Sequence, residues 1–424
     1  MSEPTVCTDP RTGERVIRID HPSGLTVYLW PKPGNQSSYA VCAARYGSID
    51  NRFEIDGTLR EVPAGIAHYL EHKLFENEDC DAFQQYAKTG ASANAFTSFD
   101  KTAYLFSCTG AIGPSLEILL RLVQTPWFTE ENVEKERGII AQEIRMYEDS
   151  PGSRVFSNLL RCMYSRHPVR TDIAGTVESI AAITPELLYS CYHAFYNLHN
   201  MVLAVAGNVT PEEVTEAADR LLKPAPPFTL ARTDPEEPPE VAVPRITEKM
   251  EVAAPLFYYG YKLPVSGTRA PDAPLSTGLA ALLELLAGHA SPLYARLLAE
   301  GLINQKFGME VFDGPGYAAL LFGGESRDPE AVATAIRQEA ERMSREGIDP
   351  AAFTAVRNAL YGDALMSLSE TEDCGDALVG AHFRGESPFA DIEAAAALTK
   401  EAVEALLPLL DPDKTVLSVI EPLE

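Results

Sequence analysis

Two imidazoles and a carboxylate stand together in His68-Tyr69-Leu70-Glu71-His72. No Gly or Pro interrupts the run from Ile66 to Phe75, and its apolar residues recur at helical spacing, which predicts a helix. His68 and His72 are then i and i+4, one above the other on a single face. Two imidazoles so placed can reach one metal ion. Glu71 is i+3 from His68, so it borders the same face and can serve as base towards a water at that metal. The order His-x-x-Glu-His inverts the His-Glu-x-x-His signature of zinc hydrolases. The alternative is a helix whose histidines are satisfied by hydrogen bonds alone.

A third ligand must come from elsewhere. Thr129 and Asn132 offer N-caps for a long charged helix, Val133 to Glu148, in which Glu136 and Glu143 are seven residues apart. Seven residues are two turns, so both lie on one face, and a carboxylate from it can complete a three-ligand site. Spacing alone does not choose between them, and a solvated acidic face is the other reading. Gly90 to Asp100 and Thr102 to Ser107 predict two antiparallel strands joined at Asp100-Lys101. The first is rich in small residues, which suits a sheet edge that a substrate backbone approaches closely. An ordinary hairpin packed under a helix fits as well.

The elements that position these residues can be read in outline. Residues 15–19, 24–30 and 38–46 read as three strands ahead of the motif helix, which suggests an α+β domain with a mixed sheet. A helix from Asp81 to Lys88 stops at Gly90, and another runs from Leu116 to Thr125 before Pro126. Asn200 to Asn208 reads as a buried strand, and Thr210-Pro211 opens a further helix. Seven prolines between Pro224 and Pro244 mark a semi-rigid linker.

Beyond the linker the chain resembles a copy of itself. Gly278 to Leu285 aligns with Gly65 to His72 at an offset of 213 residues, which also brings Tyr317 onto Tyr104. The copy keeps Glu284 but has Ala281 and Leu285 in place of the two histidines. The expected organisation is a metal-bearing domain over residues 1–223, a linker over 224–245, and a domain of the same fold without metal ligands over 246–424.

With 424 residues, two domains are the natural expectation. Hydrophobic residues at 46% and charged residues at 23% place the chain in the ordinary globular class. No apolar run approaches a membrane span, and the first thirty residues show no secretory h-region. Seven scattered cysteines (7, 42, 80, 108, 162, 191, 374) lack Cys-x-x-Cys spacing, which argues against a disulfide framework and for a reducing cytoplasm. A net charge of −26 argues against nucleic acid and anionic membranes as partners.

These residues resemble the insulinase/pitrilysin family of inverzincin zinc peptidases, and in particular its two-domain bacterial branch related to mitochondrial processing peptidase. The resemblance covers nearly the whole chain. It rests on the His68–His72 motif, Gly90 to Tyr104, Glu136-Arg137-Gly138-Ile139-Ile140-Ala141-Gln142-Glu143, and the strand from Asn200 to Gly207. It implies one zinc per chain held by His68, His72 and Glu143, with Glu71 as general base and Glu136 as a supporting acid. It implies that peptides or unfolded segments add as a strand to the edge carrying Asn94, Ala95 and Phe96. It implies a fold of two similar α+β domains, each a mixed sheet packed with helices.

The resemblance also bears on partners. Active relatives carry an Arg and a Tyr in the second domain that help hold substrate. The matching stretch is Leu298-Ala299-Glu300-Gly301-Leu302-Ile303-Asn304, with Leu298 and Asn304 where that pair would stand. A heterodimer with a metal-free homologous subunit supplying the pair is therefore expected, with a homodimer as the alternative. A catalytically silent scaffold or peptide-holding subunit is the competing function.

Overall fold

The computed structural model describes residues 4–78, 81–227, 229–233, 236–265 and 269–423. Cys80, Pro235 and the first three residues lie outside that set. The chain divides into two compact units. The first comprises Met1–Ile144, Asp172–Thr233 and Met366–Phe389; the second comprises Arg145–Thr171, Asp234–Leu365 and Ala390–Glu424.

The first unit is built on strands β1 (Thr5–Thr8), β2 (Arg15–Asp20), β3 (Thr26–Pro31), β4 (Ser38–Ala44), β5 (Arg52–Ile55), β6 (Thr58–Glu61), β7 (Ser92–Thr97), β8 (Thr102–Cys108), β9 (Met201–Gly207) and β10 (Leu230–Arg232). Seven of them form one sheet in the order β1-β2-β3-β9-β4-β8-β7, while β10-β5-β6 form a small second sheet. The pair β3–β9 is parallel, and the other pairs of the large sheet are antiparallel. Every residue of β4 and β9 is buried, as expected of strands covered on both faces. Along β4 the residues alternate. Ala40, Cys42 and Ala44 join the main core with Ile66, Tyr69 and Leu70. On the other face Tyr39 donates to Asp376 Oδ1 at 2.9 Å, so the helix Thr371–Arg384 covers it.

Four helices frame the chemistry: α1 (Ile66–Leu74), α2 (Ala82–Thr89), α3 (Gly113–Leu122) and α4 (Glu130–Glu148). Asp81 caps α2 by accepting from the Phe83 N–H, and Gly90 ends it in the left-handed conformation at φ 74°. The helix expected over Leu116–Thr125 starts earlier and ends at Leu122, where the Val123 N–H turns back to the Leu119 and Arg121 carbonyls.

The second unit holds β11 (Arg245–Met250), β12 (Leu256–Lys262), β13 (Gly308–Gly314), β14 (Tyr317–Glu325) and β15 (Thr415–Pro422), in the order β11-β15-β12-β14-β13. Here β11 and β15 are parallel and the other pairs antiparallel. This repeats β3-β9-β4-β8-β7 strand for strand, with the parallel pair in the same place. The helix Ala273–Ala287 is the counterpart of α1, and Ala281 and Leu285 are buried in its core cluster. Helix α5 (Pro151–Met163) belongs to this unit, where Ser418 Oγ donates to the Val155 carbonyl at 2.8 Å.

Two features depart from the sequence-based expectation. Neither unit is contiguous: α5 lies in the second and the helix Thr371–Arg384 in the first. The proline-rich stretch also carries structure of its own. Strand β10 pairs with β5. Glu237 accepts from the N–H groups of Ser165, Arg166 and His167 at 2.7–2.8 Å and from Lys262 Nζ at 2.7 Å.

Candidate active site

Helix α1 begins at Gly65, whose φ is 88°. A Cβ there would lie 2.3 Å from the Ala174 carbonyl oxygen, so both conformation and space call for glycine. From that start the helix runs through the core with Ile66, Tyr69, Leu70 and Leu74 almost fully buried. The remaining face presents His68, Glu71 and His72. The imidazole centroids of His68 and His72 lie 4.5 Å apart at 62°.

Helix α4 supplies the opposing wall. A reciprocal cap opens it: Thr129 N–H donates to Asn132 Oδ1 at 2.9 Å, and Asn132 N–H to Thr129 Oγ1 at 3.2 Å. Tyr69 donates its hydroxyl to the Val133 carbonyl, tying α1 to α4, and Arg137 Nη2 reaches the Ile183 carbonyl at 2.9 Å. Val133, Ile140 and Ile144 are buried. Glu136 and Glu143 share their helix face, so burying those apolar side chains turns both carboxylates towards α1.

The result is a cluster. Ligand atoms of His68, His72 and Glu143 all lie within 4.8 Å of one another. Glu143 Oε1 is 3.7 Å from His68 Nε2, and its Oε2 is 3.6 Å from His72 Nε2. Donors around a tetrahedral zinc with bonds of about 2.1 Å stand roughly 3.4 Å apart, so the spacing fits. The chemistry fits too, since neutral imidazole and carboxylate are zinc ligands. Burial, helped by neighbouring His72, pushes His68 down to about 3 and keeps it neutral. Glu136 Oε1 lies 3.0 Å from His72 Nδ1. This bond places the His72 hydrogen on Nδ1 and leaves the Nε2 lone pair free for a metal.

Glu71 stands beside the cluster and is not part of it. It is 8% exposed, and Thr97 Oγ1 donates to its Oε2 at 3.2 Å. In the metal-free chain burial pushes its carboxyl up to about 7, with His72 and Thr97 acting in the opposite sense. A dication nearby would also pull it down. Placed beside the metal ligands, this carboxylate can take a proton and return it as the acid.

The site opens into a cleft of about 620 Å³ lined by Glu71, His72, Phe75, Phe83, Asn94, Ala95, Glu136 and further polar side chains. Strand β7 is one of the two edge strands of the large sheet, β1 being the other. Asn94 and Ala95 face the cleft, whereas Phe96, on the same strand, is not among its lining residues. Asn94 Oδ1 accepts from the Ala95 N–H at 2.9 Å. Two residues of the site carried no sequence signal strong enough to single them out. Thr97 lies in the small-residue strand read from the sequence, where nothing marks its hydroxyl out from those of Ser92 and Ser98. Lys73 directly follows the motif and is fully buried; a lysine amid apolar residues was the available hint.

Residues 56–177 match the family model described as Insulinase (Peptidase family M16), and residues 182–360 match the Peptidase M16 inactive domain. The chain is 42% identical over 359 residues to the "Uncharacterized zinc protease YmfH" of Bacillus subtilis, covering 82% of this chain and 83% of that one. The chain belongs to the M16 insulinase family of peptidases. Its M16 relatives include a probable mitochondrial-processing peptidase subunit beta of Arabidopsis thaliana, 28% identical over 50% of this chain and 39% of that one. A putative M16-like peptidase from Alicyclobacillus acidocaldarius superposes with a TM-score of 0.91 at 36% identity, covering 99% of this chain and 98% of that one.

Proposed function

We propose that this M16 chain is a zinc-dependent metalloendopeptidase that cleaves peptides or unfolded segments. The observation that carries the reading is the convergence of His68, His72 and Glu143 with Glu71 held beside them by Thr97. His68 Nε2, His72 Nε2 and a Glu143 oxygen would hold one zinc. Bound there, zinc supplies Lewis acidity, lowering the pKa of water and polarising a carbonyl.

The remaining steps belong to the chain. The Glu71 carboxylate takes a proton from the attacking water and returns it to the departing amine. A positioned acid–base group of this kind contributes roughly 10²–10⁴ in rate. Glu136 holds the Nδ1 hydrogen of His72 and so keeps that ring in one orientation. Substrate backbone pairs with the free edge at Asn94, Ala95 and Phe96, which gives affinity with loose sequence demands. In terms of function, residues 1–223 supply the metal ligands, the base and the substrate edge, and residues 246–424 supply none of them.

The active form pairs this chain with a metal-free homologous subunit. Leu298 is 38% exposed and can donate no hydrogen bond, and Asn304 is engaged with Glu325 Oε2 at 2.8 Å. Neither offers the Arg and Tyr chemistry that the family resemblance leads one to expect there. The work takes place in the cytoplasm, in keeping with the six cysteines among the described residues, all of them free. Among the described residues no helix is long and apolar enough to cross a membrane.

Chelator-sensitive turnover of quenched peptides, with zinc content measured on the same preparation, tests the reading. A chain that carries and takes up no zinc would overturn the ligand assignment. A chain that binds zinc but never cleaves, alone or with its homologue, would favour the scaffold reading.

A further inference from the structure

Lys73 is the residue that neither the ligand set nor the proton path explains. It follows His72 on α1, and its side chain has no exposed surface. Lysine is almost never fully buried unless paired, because an uncompensated ammonium in the interior is costly. An apolar side chain would suit the position between Leu70 and Leu74 better.

Its partners connect it to the metal site. Lys73 Nζ donates to Glu76 Oε2, one turn further along. The same Nζ lies 4.0 Å from Glu136 Oε2. The other Glu136 oxygen, Oε1, is the acceptor 3.0 Å from His72 Nδ1. The Glu136 carboxylate is thus hydrogen-bonded at one oxygen to the ring of His72, and its other oxygen lies at ion-pair distance from the buried ammonium. Glu76 completes the array, with Lys135 Nζ 3.9 Å from its Oε1. Without Lys73, Glu136 would face Glu71 and Glu143 with no buried cation to fix its plane, and like charges would push it outwards.

We propose that Lys73 is a positioning residue of the metal site: its ammonium fixes the Glu136 carboxylate in the orientation that accepts the His72 Nδ1 hydrogen, and so keeps His72 Nε2 aimed at the metal. The inference rests on the reading of His72 as a ligand. Partners at this remove from a metal govern affinity by about 10–100-fold.

The test is metal affinity of the full chain, by competition with a chromophoric chelator for Zn²⁺, together with the visible spectrum of the Co²⁺-loaded protein. Both are measured well below the unfolding temperature, where a loss of global stability leaves the dissociation constant unchanged. Lys73→Met, similar in length and uncharged, is expected to bind zinc 10–100-fold more weakly and to alter the Co²⁺ bands. Lys73→Arg, which keeps a cation, is expected to recover most of the affinity. Lys73→Gln covers the case in which the Met variant does not fold, with an expected loss of about tenfold. Wild-type affinity and an unchanged Co²⁺ spectrum in Lys73→Met, or wild-type affinity in Lys73→Gln, would overturn the positioning role while leaving the ligand set intact. A wild-type chain that takes up neither metal would instead remove the ligand reading, and this inference with it.

Discussion

Glu136 Oε1 sits 3.0 Å from His72 Nδ1, although 64 residues separate them in the chain. Burial raises the proton affinity of Glu136, but the His72 bond and the charges of Lys73 and Lys135 hold its carboxyl below the usual range. The carboxylate is therefore ionised and available as an acceptor at neutral pH. Glu136→Gln keeps the shape and can still accept through its amide oxygen, but it loses the charge. We expect it to bind zinc about 10–100-fold more weakly than wild type while keeping one site per chain. Equilibrium dialysis against buffered zinc reads this directly, and unchanged affinity would rule out the supporting role.

Gly65 sets where α1 begins. With φ at 88° and the Ala174 carbonyl oxygen 2.3 Å from a would-be Cβ, Gly65→Ala strains the backbone and forces a shift at once. The expected loss of stability is about 2–4 kcal/mol. Chemical denaturation measures it. A loss below about 0.5 kcal/mol would mean that the helix start tolerates displacement.

His167 sets an acid limit on stability. Its Nδ1 accepts from the Val169 N–H at 3.1 Å and its Nε2 donates to the Pro315 carbonyl at 3.1 Å, an arrangement that requires the neutral ring. Burial is the main cause that pushes it down to about 4. Between that value and about 6.5 the unfolded chain binds a proton that the folded chain refuses. Stability is therefore complete above about pH 6.5 and falls as the pH drops towards 4, by up to roughly 1.4 kcal/mol per pH unit from this group. Thermal unfolding of wild type and His167→Gln across that window should show a shallower pH dependence in the variant. Parallel curves would show that His167 does not titrate as described.

The sequence made some of this legible and hid the rest for physical reasons. The i, i+4 histidines were readable because helical spacing alone puts them on one face. The assignment of Glu143 over Glu136 needed the resemblance, because both share one face of α4 and only packing against α1 decides which reaches both imidazoles. Lys73 and Thr97 stayed hidden because each acts through a partner distant in the chain. Strands β5 and β6 were missed although Asp56-Gly57 was a readable signal: φ values of 49° and 77° make the two-residue hairpin that this dipeptide favours. The exchange of α5 and the helix Thr371–Arg384 between units could not be read, because an amphipathic face does not say which sheet it will cover.

The partner hypothesis makes a kinetic demand. With Leu298 and Asn304 at the positions discussed above, the isolated chain should bind zinc yet turn over peptide slowly. Adding a metal-free homologue that carries the Arg and Tyr should raise kcat/KM by about tenfold or more. Steady-state assays across a titration of the homologue measure this, and full activity from the isolated chain, unchanged by the homologue, would reject it.

Glu71→Gln is the variant that tests the central claim most directly. It keeps the shape beside the metal and the contact with Thr97 but removes the proton acceptor. Zinc stoichiometry and peptide products, measured by mass spectrometry on the same preparations of wild type and variant with the homologue present, should show one zinc per chain in both. Chelator-sensitive cleavage should fall by about 10²-fold or more in the variant alone. Near-wild-type cleavage by Glu71→Gln would contradict the account, because the proton would then have to move through some other group.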